Sequence, residues 1–380
     1  MITREALRGH VLEELLARLL QDNGYRLLVS AKQDPDALVQ GKNGLLVRGR
    51  GGNHQADVLG EFDLPVPFSL PLRIFVEAKC NRTSVRLPVV RNAYGTVHDV
   101  NEQYSPFSSD PNPVSVRRYH YRYTLFSTSG FSTDAQRYAL AHQISLVDLS
   151  NPGFAQFRAL VEQVADAMYD LATRNQISTF PLGQMRIALR HTLETWTGDD
   201  LVTVEEFEFS ETIDDLAESQ DEPEVMTSSR TTSKRPARKW LPEHELAQIM
   251  AGLRAEPLGE LLIGFPAAPF ILVFKCENPA AFAAYLHVHP SSEIRVHIEF
   301  AERGHHDGDW VIVPAHGPQE FRLLFALPDL LADWLLNSEG PAAPRVRDIK
   351  RGMLSSLVVF QGNRLIRLLY EPHPDRQRHR

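Results

Sequence analysis

Along residues 3–22 apolar side chains recur every four positions, at Leu7, Val11, Leu15 and Leu19, with Leu12, Leu16 and Leu20 beside them. That period predicts an amphipathic helix, stopped by Asn23-Gly24, where glycine suits a left-handed helix end. Strands are predicted at Tyr25 to Ser30, from Leu45 after the Gly41 to Gly44 turn, at Val58 to Phe62, and most clearly at Leu72 to Lys79. The prolines at 65, 67 and 71 mark a loop, as do those at 106, 111 and 113. Pro88 to Asn101 reads as a helix, and Tyr123 to Thr128 as a strand. Thr133-Asp134-Ala135-Gln136 has capping-box spacing for a helix running to His142, and Ile144 to Asp148 is a closing strand. The succession predicts an α/β domain with a mixed sheet over residues 1–152, flanked by helices.

Residues 153–198 are expected to be a helical connector, with Phe157, Leu160, Val161 and Val164 on one face. Residues 199–240 change character. An acidic stretch is followed by the basic Arg230-Thr231-Thr232-Ser233-Lys234-Arg235-Pro236-Ala237-Arg238-Lys239. From Glu211 to Ala237 little could build a core, so a linker is expected, although Leu201 to Phe209 alternates enough for a strand. Residues 241–380 are expected to form a smaller α+β domain. Its strand-like runs are Leu261 to Phe274, Tyr285 to His289, Ile294 to Phe300, Trp310 to Val313 and Leu357 to Tyr370, and Leu323 to Leu336 reads as a helix.

Charge refines this picture. The chain of 380 residues carries a net charge of −8, but residues 199–229 hold twelve Asp and Glu and no Lys or Arg. The remainder is therefore at +4, so an acidic total does not exclude a nucleic-acid partner. Two cysteines are too few for a disulfide framework or a cysteine zinc site. No apolar run approaches the roughly 18 residues of a membrane span, and the N-terminus lacks a signal-peptide core. The expectation is a cytoplasmic protein with no membrane association.

The chemistry concentrates in Ile74-Phe75-Val76-Glu77-Ala78-Lys79 and in Asp57 upstream. Strand alternation puts Glu77 and Lys79 on one face. With Asp57 on a neighbouring strand, two carboxylates and an ammonium could hold a hard divalent cation and a water beside a phosphodiester. A Glu-x-Lys triplet alone equally describes a solvated strand end. Its setting is more specific. Asp22-Asn23-Gly24-Tyr25, Gly49-Arg50-Gly51-Gly52 ahead of Asp57-Val58, Val76-Glu77-Ala78-Lys79, Phe126-Ser127-Thr128-Ser129-Gly130-Phe131-Ser132-Thr133-Asp134-Ala135 and Ile144-Ser145-Leu146-Val147-Asp148 occur in order. Over about residues 5–150 the chain thereby resembles the Mrr-type restriction endonucleases of the PD-(D/E)xK nuclease superfamily.

That resemblance implies a restriction-endonuclease-like fold and a catalytic set of Asp57, Glu77 and Lys79, with Asp57 and Glu77 on Mg²⁺, for which Mn²⁺ can substitute. It further implies a helix-borne glutamate facing the metal, at Glu13 by counting back from Gly24-Tyr25, with Glu14 as its neighbour. Many such nucleases have Gln where this chain has Glu77. The chain departs from the pattern in His54-Gln55-Ala56 and in the long gap from Asp57 to Glu77.

Gln55 is a candidate substrate contact, or simply a strand or turn residue. Arg82, Arg86 and Arg91 could reach phosphates, or could line an exposed helix face. Arg118, in Arg117-Arg118-Tyr119-His120-Tyr121-Arg122-Tyr123, could line a nucleic-acid groove, or belong to an ordinary strand. His287, His289, His305, His306 and Asp307 make a poor metal set, Ser129-Gly130 lacks a nucleophile elbow, and no P-loop is present. The expected activity is Mg²⁺-dependent DNA cleavage, as in a restriction or anti-phage defence effector. The C-terminal part would meet a partner protein or a second copy of the chain. The alternatives are a non-catalytic nucleic-acid or partner-binding scaffold, and a branched-DNA or RNA nuclease of the same superfamily.

Overall fold

The computed structural model describes residues 2–41, 44–62, 69–106, 115–195, 240–254, 260–268, 270–300, 310–317, 320–337, 342–361 and 364–373. The expected strand at Leu201 to Phe209, the linker, and His305, His306 and Asp307 lie outside these residues.

The chain opens with helix α1 (Arg4–Asp22), capped by the Thr3 hydroxyl, which accepts from the Ala6 amide. Its apolar stripe is buried from Leu7 to Leu20. Asn23 closes it, and Gly24 turns the chain at φ +80°. Strands β1 (Tyr25–Leu27), β5 (Val58–Phe62), β6 (Leu72–Lys79), β9 (His120–Ser127) and β10 (Ser145–Asp148) form a five-stranded sheet in the order β1-β5-β6-β9-β10. The β1–β5–β6 pairs are antiparallel and the β6–β9–β10 pairs parallel, so the sheet is mixed as expected. Central β6 and β9 are covered on both faces, which accounts for their nearly continuous apolar runs. Ile74 and Val76 face the α1 side, while Phe75 faces the side of α2 (Leu87–Asn101) and α3 (Thr133–Ala141). The α3 cap is Ser132, one residue before the expected Thr133; its hydroxyl accepts from the Ala135 amide.

A second small sheet, which periodicity barely signals, joins β2 (Leu38–Gly41), β3 (Gly44–Arg48) and β4 (Asn53–Gln55), and β7 (Ser105–Pro106) pairs antiparallel with β8 (Ser115–Val116). The Gly49–Gly52 turn after β3 wraps the Asp99 carboxylate of α2, which accepts from the Gly51 amide at 2.8 Å and pairs with His54 at 2.7 Å. A Cβ on Gly49 would stand 2.1 Å from that carboxylate, so this glycine answers to close approach rather than to flexibility.

The connector is two helices, α4 (Ala155–Arg174) and α5 (Leu182–Leu193), separated around Pro181. Both pack on α1, and α6 (Glu243–Arg254) packs on both of them. Beyond lie β11 (Leu261–Pro266), β12 (Leu272–Cys276), α7 (Pro279–Val288), β13 (Glu293–Phe300), β14 (Trp310–Pro314), β15 (Leu323–Phe325), α8 (Asp329–Asn337), α9 (Ala342–Gly352), β16 (Ser356–Gln361) and β17 (Arg364–Tyr370).

The C-terminal strands, expected as part of an α+β unit, close into a seven-stranded barrel, β11-β12-β15-β14-β13-β17-β16, in which β16 pairs back onto β11. Closure satisfies edges that an open sheet would leave unpaired. Two runs depart from their apolar pattern. Tyr285 to His289, strand-like by alternation, belongs mostly to α7, because Asn278 caps the Ala281 amide and Pro279 starts an alanine-rich turn. Leu323 to Leu336, expected as one helix, is split by Pro328 into β15 and α8.

One hydrophobic cluster runs from α1 through β1, α4, α5 and α6 into Leu261, Ile263 and Val273 of the barrel. Asn23, fully buried, accepts from the Ile263 amide at 2.6 Å and donates to the Leu19 carbonyl at 2.8 Å. A Cβ on Gly24 would meet the Phe360 ring of β16 at 2.6 Å. No helix among the described residues is long and apolar enough to cross a membrane.

Candidate active site

Strand β5 pairs with β6 at Val58↔Val76, so continuing the register one step sets Asp57 opposite Glu77. The pairing is tied off there: the Asp57 amide donates to the Val76 carbonyl at 3.2 Å, and Oδ2 of Asp57 accepts from the Ala78 amide at 2.8 Å. On the same strand, the Lys79 Nζ lies 2.5 Å from Glu77 Oε1. Tyr123 of β9, two positions before the register partner of Glu77, donates its hydroxyl to Glu77 Oε2 at 2.5 Å. Burial and the negative charge of Glu77 push the Tyr123 phenol well above its usual range, so it stays a donor.

Asp57 is the perturbed group of the site. Its carboxyl is raised to about 6, first by burial and then by the charges of Glu13 and Glu77, against the opposing Ala78 amide and Lys79. Glu13 of α1 is thus within electrostatic reach of Asp57. Glu13 and Asp57 line a common cleft with Gln55 of β4 and with Arg186 and Arg190 of α5. Glu13 Oε2 lies 2.7 Å from Arg186 Nη2, and Oε1 lies 3.3 Å from His10 Nδ1. Glu14 is occupied differently: only 3% exposed, it meets Arg190 through two contacts, at 3.0 and 3.1 Å.

The other expected contacts are dispersed. Arg82, in the loop after β6, is highly exposed and pairs with Glu5 of α1 at 2.6 Å. Arg91 stands on the exposed side of α2, its guanidinium 5.8 Å from the Tyr138 ring centroid. Arg118 precedes β9, at the opposite end of the sheet from Lys79, and pairs with Asp36 at 2.8 Å and Asp34 at 3.4 Å. Sequence reading missed Arg186, Arg190 and Tyr123 as site residues. Tyr123 opens a predicted strand, but nothing in the sequence sets that strand beside β6. The arginines carried no signal, since nothing local places α5 against α1.

Among the described residues no three His, Cys, Asp or Glu side chains are grouped so as to hold a metal ion by themselves. The donor set that fits a hard cation is Asp57 and Glu77 with backbone carbonyl and water. The raised Asp57 carboxyl supports that fit, because crowded negative charge in a buried place is what a divalent cation relieves. To serve as a ligand, Glu77 would have to exchange Lys79 or Tyr123 for the ion.

No family model and no curated protein matches the chain. A crystal structure described as that of a protein of unknown function, AF1548, is similar over 44% of this chain and 77% of its own, at 18% identity and a TM-score of 0.26.

Proposed function

We propose that this chain is a Mg²⁺-dependent endonuclease hydrolysing DNA phosphodiester bonds, with Mn²⁺ able to replace Mg²⁺. The observation that supports the reading most is the pinning of Asp57 onto the Ala78 amide, beside the Glu77–Lys79 pair and within the field of Glu13. A cation bound by Asp57 and Glu77 would offset charge on the phosphate oxygens. Lys79, freed from Glu77, would hold the attacking water or stabilise developing negative charge. Tyr123 keeps Glu77 from swinging away. By fold-level analogy with restriction-endonuclease-like enzymes, the role would be that of a restriction or anti-phage effector, with the barrel as its regulatory or partner-binding part.

The test is cleavage of linear, branched and single-stranded DNA and of RNA with Mg²⁺ and with EDTA. Asp57→Ala and Lys79→Ala should each lower the rate on the preferred substrate by about 100-fold or more. Cleavage that survives EDTA, or that both variants retain, would sink the reading. One observation favours the rival, a non-catalytic nucleic-acid-binding scaffold: both Glu77 oxygens are already engaged. Tight DNA binding without any cleavage would select it.

A further inference from the structure

The arginines expected from sequence to meet phosphates lie outside the cleft, whereas α5 places two others in its lining. These two are not equivalent. Arg190 is committed to the buried Glu14 through paired contacts. Arg186, 19% exposed, is shared: its Nη2 lies 2.7 Å from Glu13 and 3.2 Å from His10, and its Nε is 3.9 Å from Glu14. Its principal partner, Glu13, is also the carboxylate whose charge most raises Asp57. A divalent cation drawn to Asp57 would pull on Glu13 as well, and thus compete with the guanidinium for it.

We propose that Arg186 is a phosphate-binding residue of the cleft, held on Glu13 until a cation at Asp57 and Glu77 weakens that pair, and then turned to the nucleic-acid backbone. The inference rests on the nuclease reading above and adds the residue that would receive the substrate's charge. A guanidinium suits that task, since it presents a planar fork of donors to phosphate oxygens.

The experiment compares the wild type, Arg186→Gln and Arg186→Lys for Mn²⁺ binding by electron paramagnetic resonance. Affinity for a short DNA duplex is measured in Ca²⁺, with folding checked by circular dichroism. Loss of the competing cation in Arg186→Gln should tighten Mn²⁺ binding by about fivefold. The same variant should weaken duplex binding by roughly tenfold. Arg186→Lys, which keeps the charge, should hold Mn²⁺ affinity within about twofold of wild type and restore most of the duplex affinity. A purely structural arginine would lose both affinities together with thermal stability. Mn²⁺ binding that is weakened or unchanged in Arg186→Gln, duplex binding that is unchanged, or a wild type that binds no Mn²⁺, overturns the proposal. A wild type that binds metal and duplex but cuts nothing overturns the nuclease reading alone.

Discussion

Asp57 is a carboxylate kept where ionisation is unfavourable: buried, near two like charges, with one backbone amide and Lys79 as compensation. Its folded value of about 6 lies above the ordinary 3.8, so the metal-free folded state binds the proton more tightly than the unfolded chain does. Folding is then penalised as pH rises through that interval. Asp57→Asn keeps an oxygen for the Ala78 amide and removes the charge. In EDTA near neutral pH it should stabilise the protein by roughly 1–2 kcal/mol, visible as a higher Tm. Mg²⁺ should raise the Tm of the wild type and not that of the variant. A variant less stable than wild type in EDTA would contradict this account of Asp57. How much of the site could be read in advance follows the same residues. Asp57, Glu77 and Lys79 sit on or beside strands whose pattern is local, and the structure brings them together. Arg186 and Tyr123 became visible only with tertiary packing.

At the scale of elements, β6 and β9 are joined at their far end by a buried charge cluster. Arg73 of β6, 1% exposed, is 2.6 Å from Asp34 and 2.8 Å from Glu61, and its guanidinium lies over the Tyr119 ring. Burial works against ionised Asp34, yet the Tyr119 hydroxyl and the charges of Arg73 and Arg118 outweigh it, and the carboxyl is held below its usual value. Removing Asp34 leaves Arg73 with Glu61 as its remaining carboxylate partner, so Asp34→Ala should cost about 3 kcal/mol in denaturant melts at pH 7. Because the folded value is depressed, this contribution is complete above the unfolded value of 3.8 and is lost as pH falls through the folded one. The wild type and variant should therefore converge in acid; a gap that persists there would refute the assignment. This cluster also accounts for the basic and aromatic composition of the Arg117–Tyr123 run. Its alternating basic and aromatic residues fit strand packing around Arg73 as well as base stacking, and composition alone does not separate the two. Element type was most legible where periodicity was long, as in α1 and β6. It failed at α7 and at the β15–α8 break, where Asn278, Pro279 and Pro328 set the backbone more strongly than the apolar pattern did.

At the scale of the molecule, the shared core makes the sheet domain, the connector and the first barrel strands a single packing unit. Asn23→Ala strands the buried Ile263 amide and should cost about 2 kcal/mol, with sheet and barrel still melting in one transition. Separate transitions for the two halves would argue against that coupling. Barrel closure was not legible from the sequence, because strands of this length and burial suit an open α+β sheet equally well. The pairing of β16 with β11, almost a hundred residues apart, has no local signature.

Helix α1 is consequently fastened at its C-terminal end by the barrel, through Asn23 and the contact of Gly24 with Phe360. Glu13 stands ten residues nearer the other end, roughly 15 Å along a stiff rod. The barrel therefore sets where the α1 axis ends, and with it the height along the sheet at which Glu13 meets the cleft.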